Sequence, residues 1–214
     1  MFATAPDGVK LFYDTVPGPR PVLLIHGFAA DSAATWVATG WVRALAGRGH
    51  MRVDLRGHGH SAPAASGYAP GEQARDVLAV LDTAGLSTVD VVTYSMGGVI
   101  GWELARLAPG RIGRMVLGGI GGGPVAAEDL RRVRDALGAA GLDPCIEAMT
   151  GARLVGPAAC PVLLVAGEAD EIAADAADFA ATVGAGFVPV PRRTHLTAVS
   201  SRVFKEAASA FLTP

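Results

Sequence analysis

Cysteine is nearly missing from this chain of 214 residues, which holds two, Cys145 and Cys160. Neither stands in a CxxC pair or a metal-ligand spacing, so two free thiols are expected rather than a disulfide or a zinc site. The five histidines offer one close pair, His58 and His60, with no second cluster beside it, and no metal or other cofactor is expected. Charge of one sign is missing too. With 18 Lys and Arg against 20 Asp and Glu, the formal net charge is −2, which leaves no basic surface for nucleic acid and no polybasic membrane patch. Long apolar runs are absent as well. The longest, Met115 to Ala127, is broken by Gly118, Gly119, Gly121, Gly122, Gly123 and Pro124, so it is no membrane span. The opening MFATAPDGVKLFYDT lacks a basic stretch followed by an apolar one; no secretory leader is expected, and a cytoplasmic location follows as the default.

What is present is apolar and punctuated. Half of the residues are hydrophobic, enough for one domain over 1–214 with a substantial core. Apolar runs of strand length alternate with segments of helical period, the pattern of an α/β fold with a mainly parallel sheet. Strands are expected at Phe2–Thr4, Val9–Thr15, Pro21–Ile25, His50–Leu55, Val89–Thr93, Arg114–Leu117, Pro161–Ala166 and Gly186–Val190. Helices are expected at Ser32–Ala46, Gly71–Thr83, Met96–Leu107, Glu171–Val183 and Thr197–Leu212. An excursion over about 122–158 contains one convincing helix, Ala127–Ala140, with Leu130, Val133 and Leu137 on one face.

Three short stretches carry chemistry. Thr93-Tyr-Ser-Met-Gly-Gly98 follows an apolar run and fits the nucleophile-elbow pattern G-x-S-x-G except at its first position. Ile25-His-Gly-Phe28 follows a run of buried-strand character, and Asp54-Leu-Arg-Gly-His-Gly-His-Ser61 lies between the two. In this order, over nearly the whole chain, they resemble the α/β-hydrolase fold superfamily. The resemblance implies a mostly parallel central sheet with helices on both faces and a short cap at about 122–158. It also implies a catalytic triad. Asp170, in Gly167-Glu-Ala-Asp170 after an apolar run, matches the position of the acid. His195, in Pro191-Arg-Arg-Thr-His-Leu196, matches that of the base, with Thr194 where the family usually has glycine. Ser95 is then the nucleophile, and Thr93 a tolerated departure that asks only for a little space.

The residue types suit the reaction. A serine hydroxyl needs a base to take its proton; a histidine can accept it and pass it to the leaving group; an aspartate holds the imidazole in the right tautomer. The oxyanion would be met by the backbone N–H of Met96 and, by resemblance, that of Phe28. Phe28, Tyr94, Ile120 and Leu196 are expected to line the pocket. His26, His58 and His60 read as structural or solvent-facing, Trp36 and Trp41 as packing residues, and Asp54 and Arg56 as groups that hold their own loop. Arg131, Arg132 and Arg134 read as a solvated helix face.

The expected function is hydrolysis of a small or medium carboxylic ester, thioester or lactone through an acyl-enzyme. An acyltransferase, a lyase or cyclase on the same pocket, and a catalytically silent binding protein are the alternatives. Serine at position 95 argues against haloalkane dehalogenases and epoxide hydrolases of this fold, which attack with aspartate. Lys205 lies too far along the last helix to serve a hydroxynitrile lyase. The expected partner is a small-molecule acyl substrate, with no nucleic acid and no membrane; the oligomeric state is left open. So short a cap should favour acyl chains of about C2 to C6, because extra methylenes help only where a tunnel buries them.

Overall fold

The computed structural model describes residues 1–213. Eight strands form one sheet in the order β1-β2-β4-β3-β5-β6-β7-β8: β1 Phe2–Thr4, β2 Lys10–Val16, β3 Val22–Ile25, β4 His50–Val53, β5 Val89–Tyr94, β6 Ile112–Gly118, β7 Val162–Gly167 and β8 Gly186–Val190. β1 and β2 pair antiparallel at one edge, as do β2 and β4; every later pairing is parallel. The fully apolar β3 is buried at all four residues, as expected of a strand covered on both faces.

Alternation of side chains divides the core in two. Leu23, Ile25 and Val91 face helices α2 (Pro70–Thr83) and α3 (Met96–Leu107), through Val77, Leu81 and Val99. Val22, Leu24 and Val92 face the other way, onto Trp36, Trp41 and Phe204. The two tryptophans are fully buried and meet edge to face at 5.5 Å, as packing residues.

Four expected helices are shorter or broken. In place of Ser32–Ala46 there is a π-turn, Ala33–Val37, and a single turn α1, Trp41–Ala44, because Gly40 takes φ 85° between them. The excursion holds two helices, not one: α4 (Ala127–Ala136) and α5 (Asp143–Met149). α4 stops before Gly138, at φ 64°, so Leu130 and Val133 are buried while Leu137 is 45% exposed. The expected helix at Glu171 begins only at α6, Ala176–Val183. Before it, Asp170 accepts the N–H groups of Ile172 and Ala173 at 3.1 and 3.2 Å, holding that stretch as a turn. The last expected helix splits into α7, His195–Ala198, and α8, Arg202–Leu212, at Ser201, whose hydroxyl caps α8 by accepting the Val203 N–H at 3.1 Å.

Candidate active site

Ser95 stands at the turn from β5 into α3, with φ 51° and ψ −123°, a strained conformation that lifts its side chain clear of both elements. Two glycines make that turn possible. A Cβ on Gly97 would lie 2.5 Å from the carbonyl oxygens of Ile25 and His26, and one on Gly27 would press on Ser95 and the Tyr94 carbonyl at 3.2 Å. Thr93, the departure from the elbow pattern, is fully buried on the α3 side of β5. Its space comes from α3: a Cβ on Gly101 would come within 2.8 Å of the Thr93 methyl. The missing glycine of the elbow is thus matched by a glycine on the helix that packs over it.

His195, the first residue of α7, comes to Ser95 from the loop after β8. Its Nε2 lies 3.0 Å from Ser95 Oγ, and its Nδ1 lies 3.0 and 3.1 Å from the two carboxylate oxygens of Asp170. Asp170, on the loop after β7, is 3% exposed and His195 8%. The N–H bonds from Ile172 and Ala173 fix the carboxylate's direction as well as the turn. Tyr94, next to the serine, points to the opposite face from Thr93. Its hydroxyl donates to the His195 carbonyl, and its ring lies 5.5 Å from the imidazole. Burial, with the nearby Asp170 charge, pushes the Tyr94 phenol pKa well above its usual value, so it stays a donor.

The backbone N–H groups of Phe28 and Met96 have no protein acceptor among the described residues. Met96 begins α3, where the helix dipole also favours negative charge. The His26 ring is fully buried between two backbone groups. Its Nε2 accepts the Leu55 N–H at 3.0 Å, so Nδ1 carries the proton and donates it to the Gly27 carbonyl at 2.7 Å. That carbonyl belongs to the same peptide plane as the Phe28 N–H. His26 therefore sets the direction of that N–H, a role its place before Gly27 could have suggested.

The neighbouring loop changes one expectation, that for Arg56. His58 is buried like His26, with its ring 5.3 Å from it, and only His60 faces solvent. Burial first, and then His26, lower the His58 pKa to about 4. Asp54 does hold its surroundings, accepting the N–H groups of Ser32 and His60 at 2.8 and 2.9 Å. Arg56 reaches beyond its own loop: buried, it meets Asp76 of α2 at 2.6 and 2.8 Å and Asp7 of the first hairpin at 2.9 Å. A guanidinium too buried for water needs carboxylates, and the nearest ones are on other elements.

Two cavities meet at Ser95. Ile120, Phe28 and Val133 line the more closed lobe, of about 70 Å³; Tyr94, Leu196, Phe28 and Val133 line the more open one, of about 160 Å³. The four expected pocket residues thus divide between two lobes, with Phe28 common to both. Val133, on the helix of the excursion, lines both; the sequence marked it as part of an apolar helix face and not as a pocket residue. Arg131, Arg132 and Arg134 pair with carboxylates of α4 and around it. Cys145 is buried and Cys160 half-buried, both as free thiols. Among the described residues there is no group of three or more His, Cys, Asp or Glu able to hold a metal ion, and no helix long and apolar enough to cross a membrane.

Residues 20–131 match the model of the alpha/beta hydrolase fold family, and the chain belongs to that family. It is 38% identical over 105 residues to the non-heme chloroperoxidase CPO-A1 of Kitasatospora aureofaciens, a match covering 48% of this chain and 36% of that protein. It is 34% identical over 103 residues to the putative carbamate hydrolase RutD of Variovorax paradoxus, covering 47% and 38%. The match therefore spans under two fifths of the length of these curated relatives. Among solved structures, a hydrolase from Pseudomonas aeruginosa PA01 superposes with a TM-score of 0.85 at 23% identity, covering 100% of this chain and 98% of that one. The enol-lactonase from Burkholderia xenovorans LB400 does so with a TM-score of 0.81 at 21% identity, covering 100% of both. At such identities the likeness is one of fold.

Proposed function

We propose that this chain is a serine hydrolase acting on small or medium carboxylic esters, thioesters or lactones through an acyl-enzyme. The observation that carries the reading is the hydrogen-bonded series Ser95–His195–Asp170 at the junction of two cavities. Ser95 Oγ attacks the carbonyl carbon as its proton passes to His195 Nε2. The oxyanion so formed accepts hydrogen bonds from the N–H groups of Met96 and Phe28. Collapse breaks the bond to the leaving oxygen or sulfur, which takes the proton from His195. A water molecule, deprotonated by the same nitrogen, then attacks the acyl-serine, and Ser95 recovers its proton as the carboxylic acid leaves. Asp170 keeps Nδ1 protonated and steadies the imidazolium in both halves. The segment carrying α4 and α5 acts as a reduced cap, with Leu130 and Val133 turned towards the nucleophile.

A fluorophosphonate probe tests the reading directly. The wild-type chain should label at Ser95 and hydrolyse p-nitrophenyl acetate, and Ser95→Ala should do neither. Labelling without release of acid, but with transfer of the acyl group to an added alcohol or amine, would instead establish an acyltransferase. An unlabelled wild-type protein would sink both.

A further inference from the structure

The two lobes differ in what faces them, and that difference orients a substrate. Besides Oγ, the carbon attacked by Ser95 carries an oxyanion, an acyl chain and a leaving group. The leaving group must receive its proton from His195 Nε2, so it has to depart on the histidine's side. His195 and Leu196 line the open lobe and not the closed one. Building on the serine-hydrolase reading, we infer that the open lobe takes the leaving group and the closed lobe takes the acyl group. The preferred substrate is then an ester or thioester of a short, uncharged acid with a bulky apolar alcohol or thiol.

Size and charge define each side. An apolar protein cavity of about 150 Å³ holds benzene. The open lobe, at about 160 Å³, accommodates a ring, whereas the closed lobe, at about 70 Å³, offers less than half of that space. This corresponds to an acyl chain of about three carbons. The rim of the open lobe is apolar, since Leu137 and Leu196 line it and are 45% and 43% exposed. A bulky leaving group would cover both. Val125 and Leu130 give the closed lobe apolar walls, but Asp129 also lines it. Its carboxylate pairs with Arg132, which faces Glu171 at 3.6 Å as well. One cation stands against two carboxylates there, so an acyl chain ending in its own carboxylate meets like charge.

Benzyl propionate and ethyl phenylacetate test the assignment, because they are isomers with the ring on opposite sides of the ester bond. With each rate divided by that of alkaline hydrolysis, benzyl propionate should show kcat/KM higher by about tenfold or more, the scale of a misplaced group in a tight apolar pocket. Ala34→Trp, which narrows only the open lobe of the two, should lower that ratio through benzyl propionate. Leu130→Ala, which enlarges only the closed lobe of the two, should lower it through ethyl phenylacetate. Asp129→Asn should raise turnover of monoethyl succinate relative to ethyl butyrate by about fivefold or more, since a like charge is removed. Preference for ethyl phenylacetate, a ratio near one, or an exchange of the two variants' effects would overturn the assignment while leaving the hydrolase reading intact. A chain that neither labels at Ser95 nor turns over any ester overturns that reading, and the assignment with it.

Discussion

Replacing Gly101 by alanine should destabilise this protein, although alanine is the better helix former. In a helix interior the exchange gains about 1 kcal/mol from propensity alone. Here the new Cβ would lie 2.8 Å from the Thr93 methyl, closer than real Cβ contacts come, while Met115 Sδ at 3.7 Å and Ile25 Cδ1 at 3.8 Å are ordinary neighbours. Overpacking of that kind costs about 1–3 kcal/mol. Thr93→Gly alone removes a buried methyl and the hydroxyl that meets the Val116 carbonyl at 3.3 Å. It should cost about 2 kcal/mol, roughly half from the small cavity and half from glycine in a strand. With Thr93 gone, however, the obstruction to a Cβ at position 101 goes too, and Gly101→Ala should then stabilise by about 1 kcal/mol. The sign of one substitution thus depends on the other. Urea unfolding of the four proteins, read as ΔG in water, measures the coupling, which should be about 1–3 kcal/mol in favour of the double variant. Additivity within about 0.5 kcal/mol would refute the idea that these two positions share one space. Ester hydrolysis by Thr93→Gly should stay within about tenfold of wild type, since neither Thr93 atom reaches the site.

The remaining predictions concern the chemistry and its pH range. Ser95→Ala and His195→Ala should each reduce ester hydrolysis by several orders of magnitude and Asp170→Asn by somewhat less, because such groups act as a unit; turnover near wild type in Ser95→Ala would end the mechanism. His26→Ala should lower kcat by about a hundredfold with KM little changed, the scale of losing one oxyanion donor, and should weaken a boronic-acid transition-state analogue in parallel; a loss confined to KM would show that the ring does not direct the Phe28 N–H. His58 takes up its proton near pH 4 when folded but near 6.5 when unfolded. Its contribution is therefore intact above pH 6.5 and declines as pH falls towards 4, by about 3 kcal/mol in all, with buried His26 acting in the same direction. Urea midpoints across that range should slope less in His58→Gln, and equal slopes would contradict the burial argument.

Much of this architecture is written into local sequence. All eight strands lie within a residue or two of where they were expected; β3 and β7 are the plainest, because a strand buried at every residue has little room for polar interruption. α3 begins and ends where expected, with its start marked by the elbow and its apolar face continuous. Other helices depended on contacts that periodicity does not record. Gly40 ends one turn and starts another through a positive φ, and Asp170 holds residues that read as helix in a turn. α5 is seven residues long, too short for a periodic signal, and is fixed by burial of Cys145, Ile146 and Met149. At the site, the resemblance of short motifs to the α/β-hydrolase pattern, taken in the family's order, brought Ser95, Asp170 and His195 into consideration together. The division of the pocket into two lobes was not legible, because it depends on how far Val133 reaches over Ser95 from a distant helix. The partners of Arg56 were equally hidden, since a lone arginine does not announce which carboxylates will enclose it.

The segment that delivers His195 is held in an unusual way. Among the described residues no strand follows β8, and side chains from earlier in the sequence take hold of the backbone there. Tyr94 grips the carbonyl of His195, the indole of Trp41 that of Val199 at 2.7 Å, Arg114 that of Phe211 at 2.5 Å and Arg48 that of Leu212 at 3.0 Å. These bonds join residues 97 to 164 positions apart. The imidazole can reach Ser95 only once the sheet exists and these grips have closed, so competence arrives after compaction. During refolding, secondary structure should return first and reactivity of Ser95 last, which makes the serine an internal clock for the final docking step.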